Sequence, residues 1–279
     1  MVKITPDEFQ KFSKYIYGIT GIVLGEGKAY LLETRLSSLL AEKDCASFSE
    51  LFEKIQFDSG KVLTREIINR ITTNETSFFR DNVPFELLQH KIVPDLIDQR
   101  TPSSKHLKIP INIWSAACST GQEIYSTAIV LRELLSDIKQ YNIKLMGTDI
   151  SDAAIDKASY GLYNQFEIGR GLSKEKKHKY FVLHESAWKI KDEIRAMVTF
   201  RKQNLLLPFE GVAKFDIILC RNVAIYFNIE DRKKLFNRIA DILNPDGYLI
   251  VGVSEPITGI CPRFEPKRYL RSIFYQLKE

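Results

Sequence analysis

From Ile111 onward this 279-residue chain predicts an α/β fold with a mainly parallel, Rossmann-like sheet, and the residues before it predict an all-helical region. Three observations carry that reading. Short apolar runs near 111–116, 143–148, 197–202, 215–220, 248–253 and 272–277 alternate for the most part with helical patterns, as strand-helix-strand units do. The run Ile111-Asn112-Ile113-Trp114-Ser115-Ala116-Ala117-Cys118-Ser119-Thr120-Gly121-Gln122-Glu123 breaks from apolar into small residues and then opens an amphipathic helix bearing Ile124, Ala128 and Leu131 on one face. A second strand, ending at Gly147-Thr148-Asp149-Ile150-Ser151, carries an acid at its tip. A small-residue turn at a helix N-terminus, followed by such an acid, is the usual place for a nucleotide-like ligand in a doubly wound sheet. The turn is not G-x-G-x-x-G, so taken alone it fits plain packing equally well. Asp149 stands where a ribose hydroxyl would be gripped, and Ser151 is placed to cap the helix 152–160 in its stead.

The elements follow in chain order. Thr5-Pro6-Asp7-Glu8 is a capping box with proline at the first helical position, leading a helix with Phe9, Phe12 and Ile16 on one face that Gly18 is expected to end. A second helix is predicted from about Lys28 to Lys43, a third after Ser47-Phe48-Ser49-Glu50, and a fourth carrying Ile67, Ile68 and Ile71. Residues 1–73 therefore form the helical domain and 74–279 the sheet domain. Within the second, Gly161 to Ala196 is too long for a connection and is expected to be a small inserted subdomain. The helix 229–243 starts at Asn228 and stops at Asn244-Pro245-Asp246-Gly247. The last two strands have no helix between them, so they should pair antiparallel at one edge.

Composition narrows the function. Hydrophobic residues make up 44% of the chain, enough for real cores, yet no apolar run approaches the roughly 20 residues of a membrane span. The N-terminus is not a signal peptide, so a cytoplasmic location is expected. Cys45, Cys118, Cys220 and Cys261 are far apart, which argues against zinc and disulfides and for reduced, mostly buried thiols. The helical domain is nearly neutral, so nucleic acid is not its partner. The net charge of +5 is matched by the excess of base over acid in 163–202, which would favour an acidic partner unless it is simply a solvated face.

Between the two domains lies Ile71-Thr72-Thr73-Asn74-Glu75-Thr76-Ser77-Phe78-Phe79-Arg80-Asp81. Together with Trp114 to Gly121, Gly147-Thr148-Asp149-Ile150, Asn204-Leu205-Leu206 and Cys220-Arg221-Asn222-Val223-Ala224-Ile225-Tyr226-Phe227, it closely resembles the chemotaxis receptor methyltransferases of the CheR type. The resemblance spans both domains. It implies a helical N-terminal domain, an S-adenosylmethionine-dependent methyltransferase sheet domain with a small β-subdomain, and methylation of glutamate side chains on the cytoplasmic helices of chemotaxis receptors. Carried over by position, it puts Asn74, Thr76 and Arg80 beside the cofactor, has Glu123 and Asp149 hold its polar parts, and completes the pocket with Asn204, Leu205, Cys220, Arg221 and Asn222. Arg80 and Tyr226 are the residues expected to act on the reacting pair, the first by forking onto a carboxylate, the second by donating a hydroxyl hydrogen bond. No metal or dedicated base is required, because a glutamate carboxylate is already ionised at neutral pH. The structural alternative pairs Arg80 with Asp81 or Glu86 and makes Tyr226 packing only.

The chain departs from the family in three places. Val253-Ser254-Glu255 stands for the more usual His-Ser-Glu, and Gln122 for an acid; neither is expected to touch the reacting residues. Tyr180 to Ile190 lacks the glycine-containing insertion of members that bind a receptor's C-terminal pentapeptide, so pentapeptide-independent action of a monomer is expected. Two other classes stay open on fold alone: a methyltransferase for nucleic acid or a small molecule, and a silent cofactor-sensing module. Asn222-Val223-Ala224-Ile225-Tyr226 lacks the Asn/Asp-Pro-Pro-Tyr pattern of amino-group methylases, and intact Arg80 and Tyr226 argue against silence.

Overall fold

The structure is a computed structural model describing residues 2–100, 108–209, 211 and 213–278. Four helices come first: α1 (Pro6–Thr20), α2 (Ala29–Glu42), α3 (Phe48–Gln56) and α4 (Val62–Ile71). The α1 capping box forms as expected, Thr5 Oγ1 accepting from the Glu8 amide and Glu8 accepting from the Thr5 amide. The helix does not end at Gly18. It runs on to Thr20 and stops at Gly21, whose φ of 77° supplies the left-handed cap; glycine inside a helix only weakens it, whereas a left-handed residue after it terminates it. Phe12, Ile16, Leu32, Leu36, Leu39, Phe48 and Leu51 form the core of this bundle.

A helical stretch not foreseen in the sequence follows: α5 (Val83–Leu87), one π turn (Leu88–Ile92) and α6 (Val93–Arg100). Then come β1 (Ile109–Ala116), α7 (Gln122–Leu134), β2 (Tyr141–Asp149), α8 (Asp152–Tyr160) and a short β3 (Leu162–Tyr163). The inserted segment continues with α9 (Gln165–Gly169), α10 (Lys174–Tyr180), β4 (Phe181–His184), β5 (Ala187–Ile190) and α11 (Asp192–Arg195). The chain closes with β6 (Val198–Lys202), β7 (Phe215–Cys220), α12 (Ile229–Ile242), β8 (Leu243–Val251), β9 (Phe264–Tyr269) and β10 (Ser272–Leu277).

The large sheet has the order β6-β2-β1-β7-β8-β10-β9, and the small one β3-β5-β4. The large sheet is parallel from β6 to β8, and β10 runs antiparallel to β8, as its missing crossover helix predicted. The true edge is β9, which the sequence concealed: Phe264-Glu265-Pro266-Lys267-Arg268-Tyr269 reads as a loop, but proline and charge are tolerated at an unpaired edge. Strand β8 also begins earlier than expected. The Asn244 to Gly247 stretch is drawn into it with a register shift opposite Phe215 and Ile217, and Arg100 pairs there with both Asp216 and Asp246 at 2.7 Å.

Both sheet faces are covered, which is why the central strands are apolar throughout. Ile111 and Ile113 pack with Leu88, Ile92, Ile124 and Ala128 on one side; Trp114 and Ala116 pack with Leu235, Phe236 and Ile239 on the other. The strand order reverses at β1, with β2 on one flank and β7 on the other. That places a crevice beyond the C-terminal ends of β1 and β7, where α7 begins.

Candidate active site

The turn after β1 alternates left-handed residues: Ala117 at φ 61°, Ser119 at 51° and Gly121 at 93°. Two amides of this turn reach back to β2. Cys118 N–H donates to the Thr148 carbonyl at 2.8 Å, and Ser119 N–H to Asp149 Oδ2 at 2.9 Å. Asp149 Oδ1 accepts from the Ser151 amide at 3.0 Å, while the Ser151 hydroxyl caps α8 by accepting from the Ala154 amide, as foreseen. Burial pushes the Asp149 carboxyl above the usual carboxylate range, and the backbone amides of Ser151, Ser119 and Ile150 only partly offset it.

At the start of α7, Glu123 accepts from the Ser115 hydroxyl and from Arg221 Nη1, both at 2.7 Å. Arg221 is buried, and its other nitrogen, Nη2, donates to Asp81 at 2.8 Å and to the Arg80 carbonyl at 2.9 Å. This triad ties the end of β7 to the loop before α5. The loop is strained, with Phe79, Asp81 and Asn82 all at positive φ. It is held from three sides: Phe78 lies edge-on to Tyr163 and Phe181 of the inserted segment at 5.0 and 5.2 Å, the Phe79 amide donates to Ser126, and Asp81 binds Arg221. Arg80 does not pair with Asp81 or Glu86. Its Nη1 donates to the Glu75 carbonyl at 2.9 Å, and the rest of its fork has no partner among the described residues.

These groups surround one cavity of about 1260 Å3 of empty space, counting the part open to solvent. Asn74, Thr76, Arg80, Glu123, Asp149, Asn204, Leu205, Arg221, Asn222 and Tyr226 all line it. Cys220 does not: the last residue of β7 is fully buried in the apolar core beside Trp114, and Cys118 reaches the cavity instead. All four thiols are free and buried. The Tyr226 hydroxyl has no hydrogen-bond partner among the described residues, while its carbonyl accepts from the Val23 amide at 3.0 Å.

The residues missed in the sequence are those of the opposite wall. Thr20, Ile22, Val23, Leu24, Lys28 and Arg35 bring the helical region directly onto the cavity. The only signal was a glycine-flanked apolar stretch after α1, which carries no chemical signature. Polar contacts fasten this wall to the sheet region: Tyr17 donates to Asp231 at 2.7 Å and accepts from Asn228 at 2.8 Å, Asn204 donates to the Ile19 carbonyl at 3.1 Å, and Ser151 to Asn69 at 2.8 Å.

The CheR methyltransferase SAM-binding domain family matches residues 74–269, and the CheR methyltransferase all-alpha domain family matches residues 7–72. The chain belongs to the CheR methyltransferase family. A chemotaxis protein methyltransferase of Vibrio parahaemolyticus is 38% identical over 280 residues, 99% of each chain. One from Borreliella burgdorferi is 38% identical over 263 residues, covering 92% of this chain and 91% of that one. Among the described residues no helix is long and apolar enough to cross a membrane. The protein is an S-adenosylmethionine-dependent chemotaxis methyltransferase, and its cavity fits that cofactor. Asp149 offers a carboxylate at the strand tip, and Arg221 Nε is buried without a partner among the described residues.

Proposed function

We propose that this cavity holds S-adenosylmethionine, and that the chain transfers its methyl group to glutamate side chains on the cytoplasmic helices of chemotaxis receptors. The observation that supports the reading best is the presence of two unspent donors, the Arg80 fork and the Tyr226 hydroxyl, at the cavity that Asp149 and the β1 turn define. When bound, the cofactor supplies an electrophilic methyl on a sulfonium. Asp149 and the amide-rich turn would hold the ribose side, with Asn74, Thr76, Asn204, Leu205 and Asn222 closing around the rest. The incoming glutamate is ionised already, so the protein's task is alignment and exclusion of water rather than proton removal. Arg80 orients the carboxylate and Tyr226 hydrogen-bonds it from the other side.

The division of labour assigns receptor docking to residues 1–73, transfer to 74–279, and a supporting role to the insert 161–196, in a monomer working in the cytoplasm. The β4–β5 connection is only the two-residue turn Glu185-Ser186, so there is no loop there to seize a receptor's C-terminal peptide. The basic excess of 163–202 is partly spent within the molecule. Lys176 pairs with Glu133, Arg170 with Glu75 and Lys202 with Asp152, and Lys177 sits over the Trp188 ring at 3.7 Å. Its attraction for an acidic receptor surface is therefore weaker than the residue count alone implies. Labelled S-adenosylmethionine incubated with a receptor fragment, whole and lacking its last few residues, tests the reading. Base-labile methyl esters should map to glutamates at equal rates in both fragments. No ester would refute the substrate, and a large loss on truncation would refute the untethered mode.

A further inference from the structure

Three backbone amides converge on one side chain behind the Asn222–Tyr226 segment. Glu255, completely buried, accepts from the amides of Asn222 and Gly252 at Oε2, the latter at 3.1 Å, and from the amide of Ile225 at Oε1, also at 3.1 Å. No cation pairs with it among the described residues. A carboxylate so placed is costly to bury, and its only compensation is the set of amides it fixes. Two of these belong to the segment that lines the cavity. Asn222 is held there at φ 58°, a left-handed conformation unusual for a non-glycine residue. Arg221 precedes it in the buried triad, and Tyr226 closes the short turn Ala224–Tyr226. Gly252 fits the same purpose: a Cβ there would collide with Glu255 Oε2 and stand 3.0 Å from the Asn222 amide.

We infer that Glu255 is a positioning residue for methyl transfer, setting the backbone of residues 222–225 so that Asn222 and Tyr226 face the reacting groups. This rests on the reading that both work in that cavity. It also revises the expectation that the Val253-Ser254-Glu255 stretch lies apart from the reaction: Val253 is exposed, but Glu255 grips the loop. Glu255→Gln keeps the shape but turns one accepting end into a donor that faces an amide. Gly252→Ala keeps the charge and displaces it.

Turnover on a receptor fragment, with KM, thermal midpoint and S-adenosylhomocysteine stoichiometry, is measured for both variants beside Asn222→Ala and Tyr226→Phe. In folded Glu255→Gln, kcat should fall about tenfold or more, with KM for the receptor and the binding stoichiometry within about twofold of wild type. Gly252→Ala should move kcat the same way by a smaller factor, and it decides the matter if Glu255→Gln does not fold. A folded variant that retains kcat within about twofold, or loses it only in proportion to stoichiometry, overturns the inference. If Asn222→Ala and Tyr226→Phe also kept full turnover, the cavity reading would fall with it; if they lost turnover, the role of Glu255 alone would.

Discussion

The two walls of the cavity are built differently. The sheet-side wall is fixed by buried charge and backbone: Arg221 lies between Glu123 and Asp81, Asp149 takes two amides, and the turn after β1 alternates left-handed residues. The helical wall leans on that frame through a few polar contacts near the surface, Tyr17 with Asp231 and Asn228 and the Val23 amide with the Tyr226 carbonyl among them. Buried ionic contacts are expensive to break, because the remaining partner is stranded. Single hydrogen bonds cost less to break, about 0.5–1.5 kcal/mol between neutral groups and about 1.5–3 kcal/mol where one partner is charged, as Asp231 is. The difference points to a rigid half that recognises the cofactor and a looser half that governs access to it.

The largest expected effect lies in the rigid half. Arg221→Ala strands Glu123 and should destabilise the fold by about 3–5 kcal/mol, read from urea unfolding, and abolish measurable S-adenosylhomocysteine binding. Stability within about 1 kcal/mol of wild type would mean that the triad does not hold this wall. Next comes Asp149→Ala, which should weaken S-adenosylhomocysteine by about 1–3 kcal/mol in calorimetry without unfolding the chain.

The pH dependence of the same residue sharpens the comparison. Burial raises the Asp149 pKa, so the folded chain holds that proton more tightly than the unfolded one. Its contribution to stability is complete below the ordinary carboxylate pKa and is lost as pH rises through the raised one. Ligand affinity runs the opposite way, since a protonated acid accepts poorly from ribose. As pH falls through the raised Asp149 pKa the wild type should lose affinity, while Asp149→Asn, weaker throughout, stays flat. Parallel curves would remove Asp149 from the ribose subsite.

The smallest effect belongs to the looser half. Tyr17→Phe removes the hydrogen bond to Asp231 and should lower stability by only about 1–2 kcal/mol, less than Arg221→Ala, while S-adenosylhomocysteine leaves about threefold faster in stopped flow. An unchanged release rate would mean that the helical wall does not control exit.

The same contrast explains what the sequence revealed. The sheet-side wall was legible because its chemistry is local: a strand, a small-residue turn and an acid at the next strand's tip are adjacent in the chain, and Ser151 capped its helix as its position implied. The helical wall was not. Val23 and Arg35 meet the cavity only through tertiary packing, and nothing in their neighbourhood marks them chemically. The Cys220 side chain does not line the cavity for a related reason: inside a motif it is adjacent to residues that do, but strand alternation sends it into the core while Arg221, at the strand's end, faces the cavity. Gly18 and the β9 edge show that propensity yields to context, the first to a better terminator at Gly21, the second to an edge that accepts Pro266.

The account stands most directly on one oxygen atom. Tyr226→Phe removes the hydroxyl that has no hydrogen-bond partner among the described residues and leaves the ring in place, so the cavity keeps its shape. Turnover on a receptor fragment and S-adenosylhomocysteine affinity should be measured on the same preparation. The predicted result is a kcat lowered about tenfold or more, with affinity within about twofold of wild type. Full turnover with unchanged affinity would contradict the assignment of this cavity's free donors to the reacting carboxylate.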